Sequence, residues 1–249
     1  MKLLLLLLLL INISINSIPV FWDWRKYGIV NPIKNQYGCN ACWAFSAVGT
    51  LEIYLMKYIP TPIILSEQNM IDCVTNISIP PTNPKYKTCC QGCKFGEVST
   101  VYDYLMNNQN GKVPWEYQYP YIGRKSICRN IPSKVSISLK NYVYLPENDE
   151  DTMKQVIYTT GPLSVTLHIS NDWYEYKGGI YNNSHDCKNP NSQKHSVIIV
   201  GYGEKYGVEY WVVRNSWGKE WGLGGYMEII RGKNICGIAN IPIYPLLDL

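Results

Sequence analysis

The chain has 249 residues, enough for one large hydrophobic core or two smaller ones, with 46% hydrophobic and 17% charged side chains. Its net charge is only +4, and the 23 lysines and arginines are scattered rather than gathered into a stripe. That excludes the clustered basic face of a nucleic-acid-binding protein, and nothing in the composition calls for a cofactor.

Residues 1–17 are expected to be a secretory leader. Lys2 supplies the positive start, Leu3 to Ile11 an unbroken apolar run, and Ser17 a small residue suited to a cleavage point. The run is shorter than the ~20 residues of a membrane span, and no later segment reaches that length. The mature chain is therefore expected to carry no span; a buried N-terminal helix is the alternative reading of the leader.

From Ala41 to Lys57 apolar residues at Phe45, Val48, Leu51, Ile53, Leu55 and Met56 predict a helix that begins near Cys42. Ser66 to Ile71 predicts a shorter helix and Gly96 to Asn107 a third, with a surface loop over Val74 to Thr88. The second half changes character: Pro162–His168, Ser196–Gly201, Tyr210–Arg214 and Gly225–Ile230 are short β-branched runs bounded by glycine or proline. A helical half followed by a stranded half predicts an α+β fold of two lobes, with a site in the cleft between them.

Nine cysteines in a chain with a leader suggest disulfides, and the odd number leaves at least one over. Cys39-x-x-Cys42 and Cys90-x-x-Cys93 are too far apart for a zinc ribbon, and no βαβ context supports a redox motif, so no metal site is expected. Cys42 stands at the start of a predicted helix, where the dipole lowers a thiol pKa and backbone N–H groups can face a developing oxyanion. Asn76-Ile-Ser78 and Asn182-Asn-Ser184 are glycosylation sequons compatible with secretion.

The run Gln36-Tyr-Gly-Cys39-Asn-Ala-Cys42-Trp-Ala-Phe-Ser46 resembles the active-site segment of papain and the cathepsins. His195 in Lys194-His-Ser-Val-Ile-Ile-Val-Gly-Tyr-Gly203 follows a little beyond the roughly 130–150 residues of that family's signature, and Asn215 in Val213-Arg-Asn-Ser-Trp-Gly-Lys-Glu-Trp-Gly222 follows it. Leu65–Cys73 and Trp22–Arg25 match too, so the resemblance covers Ile18 to Pro245. It implies a leader at 1–17 and a papain-like peptidase domain at 18–245. Within that domain a helical lobe would span about 27–143, and a β-barrel-like lobe about 144–240 plus the N-terminal strand 18–26.

The resemblance implies a role for each residue. Cys42 is the nucleophile, His195 the acid and base, Asn215 the group that fixes the imidazole, and Gln36 an oxyanion donor with the Cys42 N–H. Trp217 would cover the His–Asn contact. Disulfides are implied at Cys39–Cys93, Cys73–Cys128 and Cys187–Cys236, leaving the state of Cys89 and Cys90 open. Gly96 would bind the P2 residue through its backbone, with Val98, Thr166, Ser196 and Ile241 as pocket walls. Ile241 at the base predicts a hydrophobic P2 preference. The stretch after Gly96 has no room for an occluding loop of the cathepsin B kind, which points to an endopeptidase. His168 and His185 are expected to be packed or surface residues.

Three residues depart from the family pattern: Tyr37, Asn40, for which a left-handed backbone is an option, and Phe95 in place of a glycine. The pro-segment usual in the family is not seen between the leader and Ile18. The gene model lacks an exon, or restraint works without a pro-segment, or the scaffold has become a catalytically silent binding protein. The expected partners are polypeptide substrates and protein inhibitors of papain-like enzymes. A monomer is expected, in the secretory pathway and then outside the cell or in a lysosome or vacuole.

Overall fold

A computed structural model describes residues 17–74, 90–183, 185, 187 and 192–249. The leader up to residue 16, the loop at 75–88, Cys89, the Asn76 sequon and Ser184 of the second sequon lie outside the described residues. Among the described residues, no helix is long and apolar enough to cross a membrane.

The first half folds around helix α1 (Cys42–Met56), whose residues from Trp43 to Met56 are all buried. A helix apolar on every side is a core helix, and this one lies between the two lobes. Its polar groups are satisfied across that boundary: Ser46 Oγ donates to Val197 O at 2.8 Å, and the Thr50 and Ser164 hydroxyls lie 2.7 Å apart. Gly49 lets the opposite lobe approach, because a Cβ there would meet Ile198 Cδ1 at 2.9 Å.

Helix α2 (Glu67–Cys73) starts where Ser66 Oγ accepts from Asn69 N at 3.0 Å, and α3 (Val98–Asn108) closes the helical lobe. These elements share a core of Trp43, Val48, Leu51, Met70, Val101 and Leu105.

The second half carries most of an eight-stranded sheet: β1 (Trp22–Asp23), β2 (Ser138–Tyr144), β3 (Leu163–Ile169), β4 (Ile180–Tyr181), β5 (Gln193–Lys205), β6 (Val208–Arg214), β7 (Tyr226–Ile230) and β8 (Ile243–Asp248). The strands run β2-β8-β3-β5-β6-β7-β4, with β1 added on β5. β2 and β4 end the path, so the sheet is not closed into the barrel expected for this lobe. All four predicted strands form, β5 being the long central one. Leu163, Val165, Val197, Ile199, Trp211 and Met227 make the second core. β8 returns to the first lobe, where Ile243 joins the helical core.

The stranded half also contains a helix that hydrophobic patterning did not reveal, α4 (Glu150–Thr159), capped by Asp149 Oδ1 accepting from Thr152 N at 2.9 Å. It lays only Glu150, Met153 and Ile157 inward, too sparse an apolar stripe to stand out. Disulfides join Cys39 to Cys93, Cys73 to Cys128 and Cys187 to Cys236, each closing a loop of about fifty residues. Each such cross-link stabilises by about 2–4 kcal/mol.

Candidate active site

The cleft between the lobes holds a cavity of about 570 Å³ lined by Gln36, Cys42, Gly96, Thr166, His195, Ser196 and Trp217, among others. Cys42 opens α1, and no side chain of the preceding Ala41 caps the first N–H groups. It is the one free cysteine among the described residues; Cys90 is disulfide-bonded.

His195 arrives from the other lobe on β5, opposite Leu167 of β3. Its Nε2 lies 2.8 Å from Asn215 Oδ1, and the same oxygen accepts from Ser216 N at 2.8 Å. An oxygen already accepting a backbone N–H requires His195 Nε2 to be the donor, so Nδ1 is the basic nitrogen of the neutral ring. The ring is 2% exposed and packs 4.8 Å from the indole of Trp217, which stacks on Tyr174 at 4.9 Å.

Gln36 is fixed from three sides. Its N–H donates to Ser216 O at 2.8 Å, its Oε1 accepts from Ser216 Oγ at 2.6 Å, and its Nε2 donates to Cys39 O at 2.8 Å. One hydrogen of the amide is thus engaged and the other is left for the cleft.

Burial opposes both ions of a Cys–His pair when each forms alone. It pushes the His195 imidazolium down to about 4, against a smaller upward pull from the Asn215 contact. It also pushes the Cys42 thiol up, while hydrogen bonds from Ser196 and the helix-start N–H groups of Trp43 and Cys42 act in the other direction. These hydrogen bonds are outweighed by desolvation.

Asn215 is buried behind His195, while Val98 and Ile241 do not line the cavity. Val98 is buried as the first residue of α3, so its side chain belongs to the helical core. The apolar side chains that do line it are Tyr37, Trp43, Phe95, Tyr174 and Trp217. The residue beside Gly96 that does line it is Glu97, accompanied by Lys94, Phe95, Tyr174, Gln193 and Lys194. Glu97 was one position from Val98 in the sequence, and nothing in its neighbours indicated which of the two faces the cleft.

Tyr37, not Asn40, takes the left-handed backbone, at φ 48°, and its N–H is held by Asn35 Oδ1 at 2.8 Å. Asn40 has no such conformation and instead donates its N–H to Cys93 O at 3.0 Å. His168 lies on β3 with Nδ1 2.8 Å from Ser192 Oγ, and neither it nor His185 lines the cleft.

Residues 18–246 match the model of the papain family of cysteine proteases, and the chain belongs to that family. It is 38% identical over 229 residues to mouse pro-cathepsin H, covering 92% of this chain and 65% of that protein. The rice oryzain gamma chain is 36% identical, with 93% and 60% covered. The chain thus spans less than two thirds of the length of these relatives. Among solved structures, digestive procathepsin L2 from the larval midgut of Tenebrio molitor superposes with a TM-score of 0.80 at 36% identity, covering 94% of this chain and 70% of that one. Bromelain from Ananas comosus, in complex with the inhibitor E64, gives 0.76 at 32% identity, covering 92% and 100%.

Proposed function

We propose that the chain is a cysteine endopeptidase that hydrolyses peptide bonds through an acyl-enzyme, working as a monomer. The observation that carries this reading is the His195–Asn215–Ser216 arrangement, which leaves Nδ1 as the base in the cleft lined by the free thiol of Cys42. Because burial disfavours either ion alone, the proton passes from Cys42 to His195 as one event, and the thiolate and imidazolium neutralise each other.

The thiolate attacks the substrate carbonyl carbon. The oxyanion that forms takes the free hydrogen of Gln36 Nε2 and the Cys42 N–H at the helix start. His195 returns its proton to the leaving amine, and a thioester remains on Cys42. The neutral imidazole then draws a proton from water for deacylation. Only Glu97 separates Gly96 from α3, so no occluding loop is inserted between them, in keeping with an endopeptidase.

Polypeptides are the substrates under this reading, and protein inhibitors of papain-like enzymes are its natural antagonists. The three disulfides suit an oxidising compartment of the secretory pathway, and we assign the protein to the extracellular space or to a lysosome or vacuole. Retention of Gln36, Cys42, His195 and Asn215 in bonded positions disfavours a silent binding scaffold. The test is covalent labelling of the folded, reduced protein by a thiol-directed epoxide, with Cys42→Ala as control. A single adduct on Cys42 is expected; an unlabelled wild type, alongside a labelled papain-like control enzyme, sinks the reading.

A further inference from the structure

The wall of the cleft at Gly96 is rigid. A Cβ on Gly96 would come within 2.3 Å of the Trp43 indole, so the backbone lies directly on that ring, which in turn donates Nε1–H to Gly92 O at 3.3 Å. The next residue, Glu97, lines the same cavity as Cys42 and His195. It is the N-cap of α3 in extended conformation, yet its side chain makes no capping hydrogen bond, so the carboxylate is not turned back onto the helix.

Across the cavity stand Thr166 and Ser196, paired in register on β3 and β5 with their hydroxyls 2.9 Å apart. Glu97, Thr166 and Ser196 therefore bring polar groups to the same cavity as Gly96. Glu97 is half-buried and forms no ion pair with a cation among the described residues. Lys194 is exposed and influences it only at longer range. Burial pushes the Glu97 carboxyl up, against a smaller downward pull from Lys194, which marks a carboxylate whose solvation is incomplete.

We propose that Glu97 makes this pocket a binding site for a basic P2 side chain, whose cationic head pairs with the Glu97 carboxylate while its methylene stem lies in the cleft. The proposal rests on the peptidase reading and is the alternative to the hydrophobic P2 preference expected from Val98 and Ile241. A lysine or arginine supplies the missing counter-charge, and the Thr166 and Ser196 oxygens can accept its remaining N–H groups. An aliphatic P2 residue instead leaves the carboxylate unpaired and further desolvated, so it is the poorer occupant.

The experiment compares two fluorogenic peptides identical except for arginine or leucine at P2, using the ratio of their kcat/KM values. The wild type is expected to favour arginine. Glu97→Gln should lower the arginine-to-leucine ratio about tenfold, as loss of one charge-assisted contact implies, and Glu97→Lys should lower it further. A wild type that cleaves the leucine peptide as well or better overturns the proposal, as does a ratio unmoved by both variants. Both results leave the peptidase reading intact. Failure to cleave either peptide, together with absence of epoxide label on Cys42, overturns that reading and this one with it.

Discussion

At the scale of single residues, the site depends on how Asn215 Oδ1 divides its two hydrogen bonds. The bond to Ser216 N fixes the orientation of the amide, and the bond to His195 Nε2 fixes the tautomer of the base. Asn215→Ala should lower kcat/KM roughly ten- to hundredfold, the value of one hydrogen bond to a charged ring. Since the Asn215 contact raises the affinity of His195 for its proton, the alkaline limb of the pH–rate profile should move to lower pH in this variant. A profile of unchanged shape would show that Asn215 acts on folding alone.

These catalytic candidates were legible in the sequence because each stands in a motif whose neighbours are also constrained. Of the expected pocket walls, Gly96, Thr166, Ser196 and Trp217 line the cleft, whereas Glu97 was missed. A shift of one residue between Glu97 and Val98 decides which side chain faces the cleft, and that depends on where α3 starts and how its first turn packs on Trp43.

At the scale of elements, helix starts and close approaches carry the arrangement. Ser66→Ala removes the cap of α2, and with it about 1 kcal/mol of stability, measurable as a lower Tm. Gly96→Ala inserts a methyl group into the Trp43 ring and should cost about 1–3 kcal/mol by overpacking. The same substitution should raise KM, because the backbone that binds substrate must move. α1 was readable because its apolar residues run long without proline, and the four core strands because β-branched runs ended at glycine or proline. α4 was hidden by its polarity, and β2 and β8 by the mixed composition of strands that pack on only one side.

At the scale of the molecule, two buried groups give stability an opposed dependence on pH. Glu67, buried with Lys34 and Glu52, is raised from 4.5 to about 7. Its folded form binds the proton more tightly than the unfolded chain does, so stability falls as pH rises from 4.5 to 7. His195 behaves oppositely wherever it has no thiolate to face, as in Cys42→Ala. Its pKa is lowered from 6.5 to about 4, the unfolded chain binds the proton more tightly, and stability falls as pH drops from 6.5 to 4. In the Cys42→Ala background, Glu67→Gln should therefore make Tm rise more steeply with pH between 4.5 and 7. An unaltered slope would show that Glu67 is not protonated across that range. The two-lobed α+β plan was readable from the contrast between the two halves. The open path of the sheet was not, since closure depends on strand pairings far apart in the chain.

The central claim is that Cys42 is stored as a thiolate paired with His195, although burial opposes each ion alone. The pH dependence of Cys42 alkylation by a neutral reagent tests it most directly. A pair predicts rapid alkylation persisting well below pH 7, falling at acid pH as the pair takes up a proton, and slow alkylation of Cys42 in His195→Ala at the same pH. A rate that is negligible below pH 7 and rises only through the ordinary thiol range near 8.5, with or without His195, would contradict the account.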